Sequence, residues 1–146
     1  MANSYSSSAY GMAVASGITH AGIIRLVLAG VAKDLLHAAD AVRLARIEAR
    51  CSASSHALLL IGHLESWATD LEEPALAETL TSFYQMLRRY ILQLQSSPVA
   101  ADFDMLARLV LDTGAAWHAK ETSLLSVEDR SHTMQQNEPG ELSFHA

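Results

Sequence analysis

Apolar residues recur at three- and four-residue intervals along most of this sequence, a spacing that places them on one side of an α-helix. One such seam follows residues 24–49, and a clearer one follows residues 76–94. No segment alternates apolar and polar residues over more than a few positions, so strands are not predicted. The chain is therefore predicted to be all-α. The clearer seam consists of Leu76, Leu80, Phe83, Leu87, Ile91 and Leu94.

Short polar segments divide this pattern into four predicted helices. Residues 51–55 are predicted to end the first helix, because serine favours helix caps over helix interiors. Residues 72–74 mark the start of the third helix, because proline suits a first helical turn. Residues 96–98 mark the start of the fourth. The fourth helix is predicted to end near Leu125. Because the connections are short, we expect an antiparallel four-helix bundle.

The two ends of the chain differ from its middle. Residues 1–18 are rich in Ser, Ala and Gly and predict a flexible leader, followed by a bundle domain over residues 19–126. Residues 127–146 lack apolar periodicity and carry one arginine against four acids. Such a composition buries too little apolar surface to order the chain. We therefore expect a disordered acidic tail.

Charge and hydropathy exclude several classes of partner. The chain has 10 basic and 16 acidic residues, a net charge of −6, which argues against a nucleic-acid partner because phosphates need a basic face. Its longest apolar run, residues 57–61, is far shorter than the roughly 20 residues that span a bilayer. The first ten residues are polar and resemble no signal peptide. These features predict a cytoplasmic protein that does not insert into membranes.

Catalytic and metal-binding motifs are absent from the sequence. Its seven histidines include no HExxH or ExxH spacing, and His56 and His63 share a helix face without a carboxylate or thiolate to complete a metal site. The single cysteine, Cys51, lies outside any catalytic motif, and no glycine-rich loop follows a strand. We therefore predict no metal, no cofactor and no enzyme activity, which disfavours a ferritin-like metalloenzyme.

Several apolar residues fall outside the predicted core seams. Four residues of the first predicted helix lie about 100–180° from Leu35 at the seam centre, at about 100° per residue. The third predicted helix adds Met86 and Leu92. Exposed apolar surface of this kind marks protein interaction sites, unless neighbouring helices bury the first helix on several sides. The four residues are Leu26, Leu36, Leu44 and Ile47.

Residues 80–91, LTSFYQMLRRYI, resemble a motif of the FliS family of flagellar secretion chaperones, L-x-x-L-Y-x-Y-M-x-R-R-L. Tyr84 and Arg89 match this pattern position for position. Met86 replaces its second tyrosine, and Tyr90 replaces its second arginine.

Three further segments resemble the family in the same chain order. Residues 9–10 match the A-Y of its leader, and residues 23–30 keep its glycine but lack the preceding Tyr-Asp pair. Residues 116–125 resemble its A-W-K-E-S-L-L ending, with an offset of two residues after the tryptophan. Gly114 stands where the family often has arginine. The chain is thereby identified as a divergent member of this family, over roughly residues 9–125.

The resemblance implies a cytosolic export chaperone that binds the C-terminal region of flagellin in a 1:1 complex. It would prevent premature polymerisation and deliver flagellin to the flagellar type III export apparatus, with the export gate as a further partner. Client helices would lie in apolar grooves that the leader, through Tyr10, covers when no client is bound. The resulting groove candidates are Leu26, Leu36, Leu44, Ile47, Tyr84 and Met86.

An alternative function is a self-associating helical module without an export client. In that case the surplus apolar stripes would bury one another in a homodimer. A homodimer could also form only in the absence of client. The oligomeric state of the purified protein discriminates between these hypotheses.

Overall fold

Four helices make up residues 20–136, the part of the chain that the computed structural model describes. α1 lies beside α2 and α4, while α3 packs mainly on α2 and less closely on α4. No strand occurs within residues 20–136, which confirms the all-α prediction. The helices are α1 (His20–Arg43), α2 (Ile47–Thr69), α3 (Pro74–Ser96) and α4 (Ala100–Gln136).

Side-chain contacts show that neighbouring helices run antiparallel, as predicted. His56 Nδ1 of α2 lies 2.5 Å from Asp34 Oδ2 in the middle of α1. At the end of α1, Arg43 Nη2 donates to Asp104 Oδ2 in the first turns of α4. Since the last residue of α1 lies beside the start of α4, these two helices also run in opposite directions. The fold is an antiparallel four-helix bundle.

α1 supplies the centre of the hydrophobic core because α2 and α4 cover it from two sides. Its buried stripe includes Leu28, Val31 and Leu35, each at most 2% exposed. A leucine-sized side chain contributes about 1.5–3 kcal/mol when fully buried. The predicted seam of α3 also forms core, although Leu76 and Phe83 are only half-buried. The other buried seam residues of α3 and α4 are Leu80, Leu87, Ile91, Leu94, Phe103, Leu106 and Val110.

The first helix ends earlier than the sequence predicts. The predicted break at residues 51–55 is wrong, because these residues lie inside α2. The chain instead turns at residues 44–46, where Ala45 adopts a left-handed conformation with φ 53°. Glycine usually occupies such a position, and no glycine is present here to mark the turn.

The last helix extends further than predicted. α4 continues to Gln136, so its predicted end near Leu125 is wrong, and residues 127–136 of the predicted disordered tail are helical. A helix that is already nucleated adds polar residues at little cost, without needing apolar periodicity. The predicted leader, residues 1–18, and the remaining tail, residues 137–146, lie outside the described residues.

Candidate functional site between helices α1 and α4

One flank of α1 faces α4 over most of the bundle. Ala29, Leu36 and Arg43 are seven residues apart, so their side chains leave α1 in nearly the same direction. Ala29 lines a cleft shared with α4, and Arg43 donates a hydrogen bond to Asp104 of α4. Leu36 therefore lies on the α4-facing flank, between these two contacts.

The facing wall on α4 is also apolar. Asp104 and Leu111 are seven residues apart, and Leu111 lines the same cleft as Ala29. Leu36 is 43% exposed and Leu111 is 49% exposed, so both walls present apolar surface to solvent. Leu26 is also exposed, one turn before Ala29 on the outer side of α1. We call the surface between α1 and α4 the α1–α4 furrow, and we define it by Ala29, Leu36, Leu111 and Ala115.

The furrow deepens into a cleft near the start of α1. The cleft has a volume of about 260 Å³. Leu28 and Val110 are buried core residues in its lining, and Gly114 lines it without a side chain. The complete lining is Arg25, Leu28, Ala29, Val110, Leu111, Gly114 and Ala115.

Basic side chains flank the furrow although the protein as a whole is acidic. Arg25 lines the cleft, Lys33 is exposed between Ala29 and Leu36 in sequence, and Arg108 is exposed one turn before Leu111. At the other end of the furrow, a hydrogen bond from Arg43 to Asp104 raises the pKa of the Arg43 guanidinium. We call Arg25, Lys33 and Arg108 the basic rim of the furrow. At the other end, Asp104 and Asp40 balance the charge of Arg43.

The structure separates the exposed residues that the sequence placed on one helix. Leu36 borders the α1–α4 furrow, whereas Leu26 is exposed on the outer side of α1. Leu44 and Ile47 are 61% and 67% exposed, but they lie at the corner between α1 and α2, because α1 ends at Arg43. Their predicted angular positions on a continuous first helix are therefore wrong.

Two groove candidates on α3 belong to the core side of that helix. Tyr84 is 1% exposed, and burial raises the pKa of its phenol to about 12. A side chain this deeply buried does not line an open groove, so the structure corrects the prediction for Tyr84. Met86 is half-buried and packs against the core. Tyr10, the predicted leader contact, lies outside the described residues.

Several exposed apolar residues were missed by the sequence prediction. Leu111 falls off the inward seam of α4, and the angular test used for the first helix would have found it. The α3–α4 link and the outer face of α4 expose further apolar side chains. These missed residues are Leu59, Tyr90, Val99, Met105, Leu109 and Leu111.

The described residues offer binding surface and no metal site. Among them, no group of His, Cys, Asp and Glu side chains is arranged to hold a metal ion. None of the described helices has the length and hydropathy needed to cross a membrane. The α1–α4 furrow, with its apolar walls and basic rim, is suited to hold an amphipathic helix.

Comparison with known families agrees with this interpretation. The family described as flagellar protein FliS matches residues 1–123, which is most of the chain. This protein belongs to the FliS family. FliS proteins are flagellar export chaperones, so the family indicates a chaperone of flagellum biogenesis. No curated protein sequence matches the chain.

Proposed function

We propose that this FliS-family chaperone binds the C-terminal region of flagellin as an amphipathic helix in the α1–α4 furrow. The observation that carries this proposal is the pair of exposed leucines, Leu36 and Leu111, on facing walls of one furrow. A chaperone that only needed to fold would gain stability by covering them. Left open, they provide apolar surface for a helix from another chain.

The binding energy follows from apolar burial and is reduced by ordering the client. Each leucine-sized anchor that enters the furrow contributes about 1.5–3 kcal/mol before that cost. Coupled folding of a disordered client consumes about 2–5 kcal/mol of the gross interaction energy. Two or three anchors are therefore needed for useful affinity, which favours a helix that follows the whole furrow. Leu44 and Ile47, which follow Arg43 at the other end of the furrow from the cleft, remain candidates for contacts with the same client.

The basic rim supports a client helix with carboxylates beside its apolar stripe. Arg25 lines the cleft, and Lys33 and Arg108 are exposed three residues before Leu36 and Leu111 in sequence. Rim charges chiefly accelerate association and lose strength as salt screens them.

The start of α1 supports a role for the leader at the same surface. α1 begins at His20, and Ala29 in the cleft lies nine residues later, about 14 Å along the helix. The chain that precedes α1 therefore joins the helix at the cleft end of the furrow. We propose that residues 1–18 cover this end through Tyr10 until flagellin displaces them.

In the cell, the complex would keep flagellin monomeric in the cytoplasm and carry it to the flagellar type III export gate. Seeded polymerisation of purified flagellin, followed by light scattering, tests the first step. We expect polymerisation to stop once the chaperone reaches a 1:1 ratio, and titration calorimetry to give the same stoichiometry. Unchanged polymerisation at a large chaperone excess would contradict the proposal.

Self-association is the second candidate function, because α3 and α4 expose a separate set of apolar residues. Tyr90, Met105 and Leu109 are each at least 38% exposed. A homodimer could bury them while the α1–α4 furrow stays open, or could form only without client. Sedimentation equilibrium decides between these states. A tight dimer that neither binds flagellin nor dissociates in its presence would favour this function over the chaperone.

A further inference from the structure

Gly114 is a buried glycine that the packing of α1 against α4 does not require. A glycine within a helix costs about 1 kcal/mol relative to alanine. At Gly30 the reason is local crowding, since an added Cβ would lie 3.1 Å from Leu60 Cδ1. At Gly114 the nearest atoms to an added Cβ, in Leu28, are 3.9 Å away, an ordinary van der Waals distance.

The missing side chain at this position leaves the cleft of the α1–α4 furrow open. Its volume of about 260 Å³ is below the roughly 300–1,000 Å³ typical of small-molecule sites. Unlike the enclosed ~150 Å³ apolar cavity that holds a benzene molecule in an engineered protein, the cleft is open to solvent on one side. A space of this size suits one large side chain.

The lining defines the chemistry of that side chain. Six of the seven lining residues are apolar or glycine, and Arg25 is the charged one. Leu111 and Ala29 are both exposed and border the cleft, so it opens into the furrow. A helix lying along Leu36 and Leu111 would pass over this opening.

We infer that the cleft beside Gly114 is an anchor pocket for one large apolar side chain, of phenylalanine, leucine or methionine, from the helix bound in the furrow. The identity of that helix rests on the proposed function, whereas the pocket itself rests on the geometry at Gly114. The pocket fixes the position of the client helix along the furrow, because the anchor side chain must lie in the cleft.

Two variants of the full-length protein distinguish the effect of filling the pocket from the effect of adding a leucine side chain elsewhere on α4. Gly114→Leu places a side chain in the cleft. Ala116→Leu adds the same side chain at an exposed position two residues later on α4, outside the cleft lining. Circular dichroism and thermal melting would show that both variants keep the helical fold.

The first measurement does not depend on flagellin. Toluene serves as the apolar probe, and methyl NMR follows Leu28 and Leu111. We expect toluene to shift these methyl resonances in the wild type and in Ala116→Leu, but not in Gly114→Leu. Absence of a shift in the wild type would overturn the pocket, whatever the client is.

The second measurement titrates the C-terminal segment of flagellin into each protein. We expect Gly114→Leu to weaken binding at least tenfold, the loss of about one apolar anchor, and Ala116→Leu to bind like the wild type. Equal affinity of Gly114→Leu and wild type would also overturn the pocket. If the wild type takes up toluene but does not bind flagellin, the proposed function fails while the pocket stands.

Discussion

The backbone amide of Arg46 donates to the carbonyl of Ala41 at 2.8 Å, and this bond closes the end of α1. The amide of Ala45 donates to Val42 at 3.1 Å in the same turn. Together they form a Schellman motif, in which the residue at the left-handed position is normally glycine. Here that residue is Ala45, with φ 53°.

Replacing Ala45 with glycine should therefore stabilise the protein. A non-glycine residue in the left-handed region costs about 1–2 kcal/mol, and the greater chain entropy of glycine offsets part of the gain. We expect Ala45→Gly to raise the free energy of unfolding by about 0.5–1 kcal/mol in urea denaturation. Ala116→Gly, at an exposed position in the interior of α4, is the control and should lower it by about 1 kcal/mol. Destabilisation by both substitutions would show that Ala45 is not strained.

This turn also explains why the first helix boundary could not be predicted from the sequence. Neither Ala45 nor Arg46 is a typical helix-ending or helix-capping residue, and Arg46 makes no side-chain cap in the structure. Serines at residues 51–55 carry the stronger local signal, but tertiary contacts keep them in α2, where Ser54 is buried. By contrast, the α3 seam and Pro74 at the start of that helix were predicted correctly, because periodicity and proline geometry agree there.

Core and surface residues of α4 should respond differently to truncation. Phe103 is fully buried, so Phe103→Ala should destabilise the protein by about 3–5 kcal/mol through lost apolar contacts and a cavity. Met105, two residues later, is 53% exposed, and Met105→Ala should change stability by no more than about 0.5 kcal/mol. Chemical denaturation measures both changes. Similar losses of stability in the two variants would show that the face of α4 with Phe103 is not the one that faces the core.

Tyr84 should make stability fall at high pH. Burial raises its pKa from 10.0 to about 12, because the core favours the neutral phenol. The folded state then holds the proton more tightly than the unfolded state, so this contribution is complete below the unfolded pKa. It is lost as pH rises from about 10 to about 12, by up to ~2–3 kcal/mol.

Tyr84→Phe supplies the control for this pH dependence. Denaturant unfolding at about pH 9 and about pH 11.5 should show a larger loss of stability in the wild type than in the variant. The difference isolates Tyr84 from the other groups that titrate in the same range. Parallel losses in the two proteins would mean that the Tyr84 phenol ionises as it does in the unfolded chain.

The basic rim should affect client association through charge. The double variant Lys33→Glu/Arg108→Glu should bind the C-terminal segment of flagellin more weakly at low salt, mainly through a slower association rate. The difference from wild type should shrink as ionic strength rises. Arg89→Glu, an exposed charge reversal on α3, should leave association nearly unchanged. Stopped-flow fluorescence measures these rates, and an equal loss per reversed charge in Arg89→Glu and in the double variant would indicate only a net-charge effect.

The candidate site was only partly predictable, because its two walls come from helices far apart in sequence. The angular position of Leu36 on α1 predicted an exposed residue, and the structure places it in the furrow. Leu111 also falls off the inward seam of its helix, α4. The sequence could not show that it lies across the furrow from Leu36. Tyr84 was misassigned because a motif match identifies a family position and does not report burial. In the sequence, Gly114 differed from the family only by replacing a frequent arginine. The cleft beside it depends on Leu28 of α1, which only the fold places next to Gly114.

Titration calorimetry of flagellin's C-terminal segment into Leu36→Asp/Leu111→Asp examines the furrow itself. Both side chains are exposed, so the variant should retain its helical content and melting behaviour within the range of Leu92→Asp, an exposed substitution on α3. We expect wild type and Leu92→Asp to bind with 1:1 stoichiometry, and the double variant to lose at least a hundredfold in affinity, equivalent to about 2.7 kcal/mol. Wild-type affinity in a folded double variant would show that flagellin does not bind in the α1–α4 furrow.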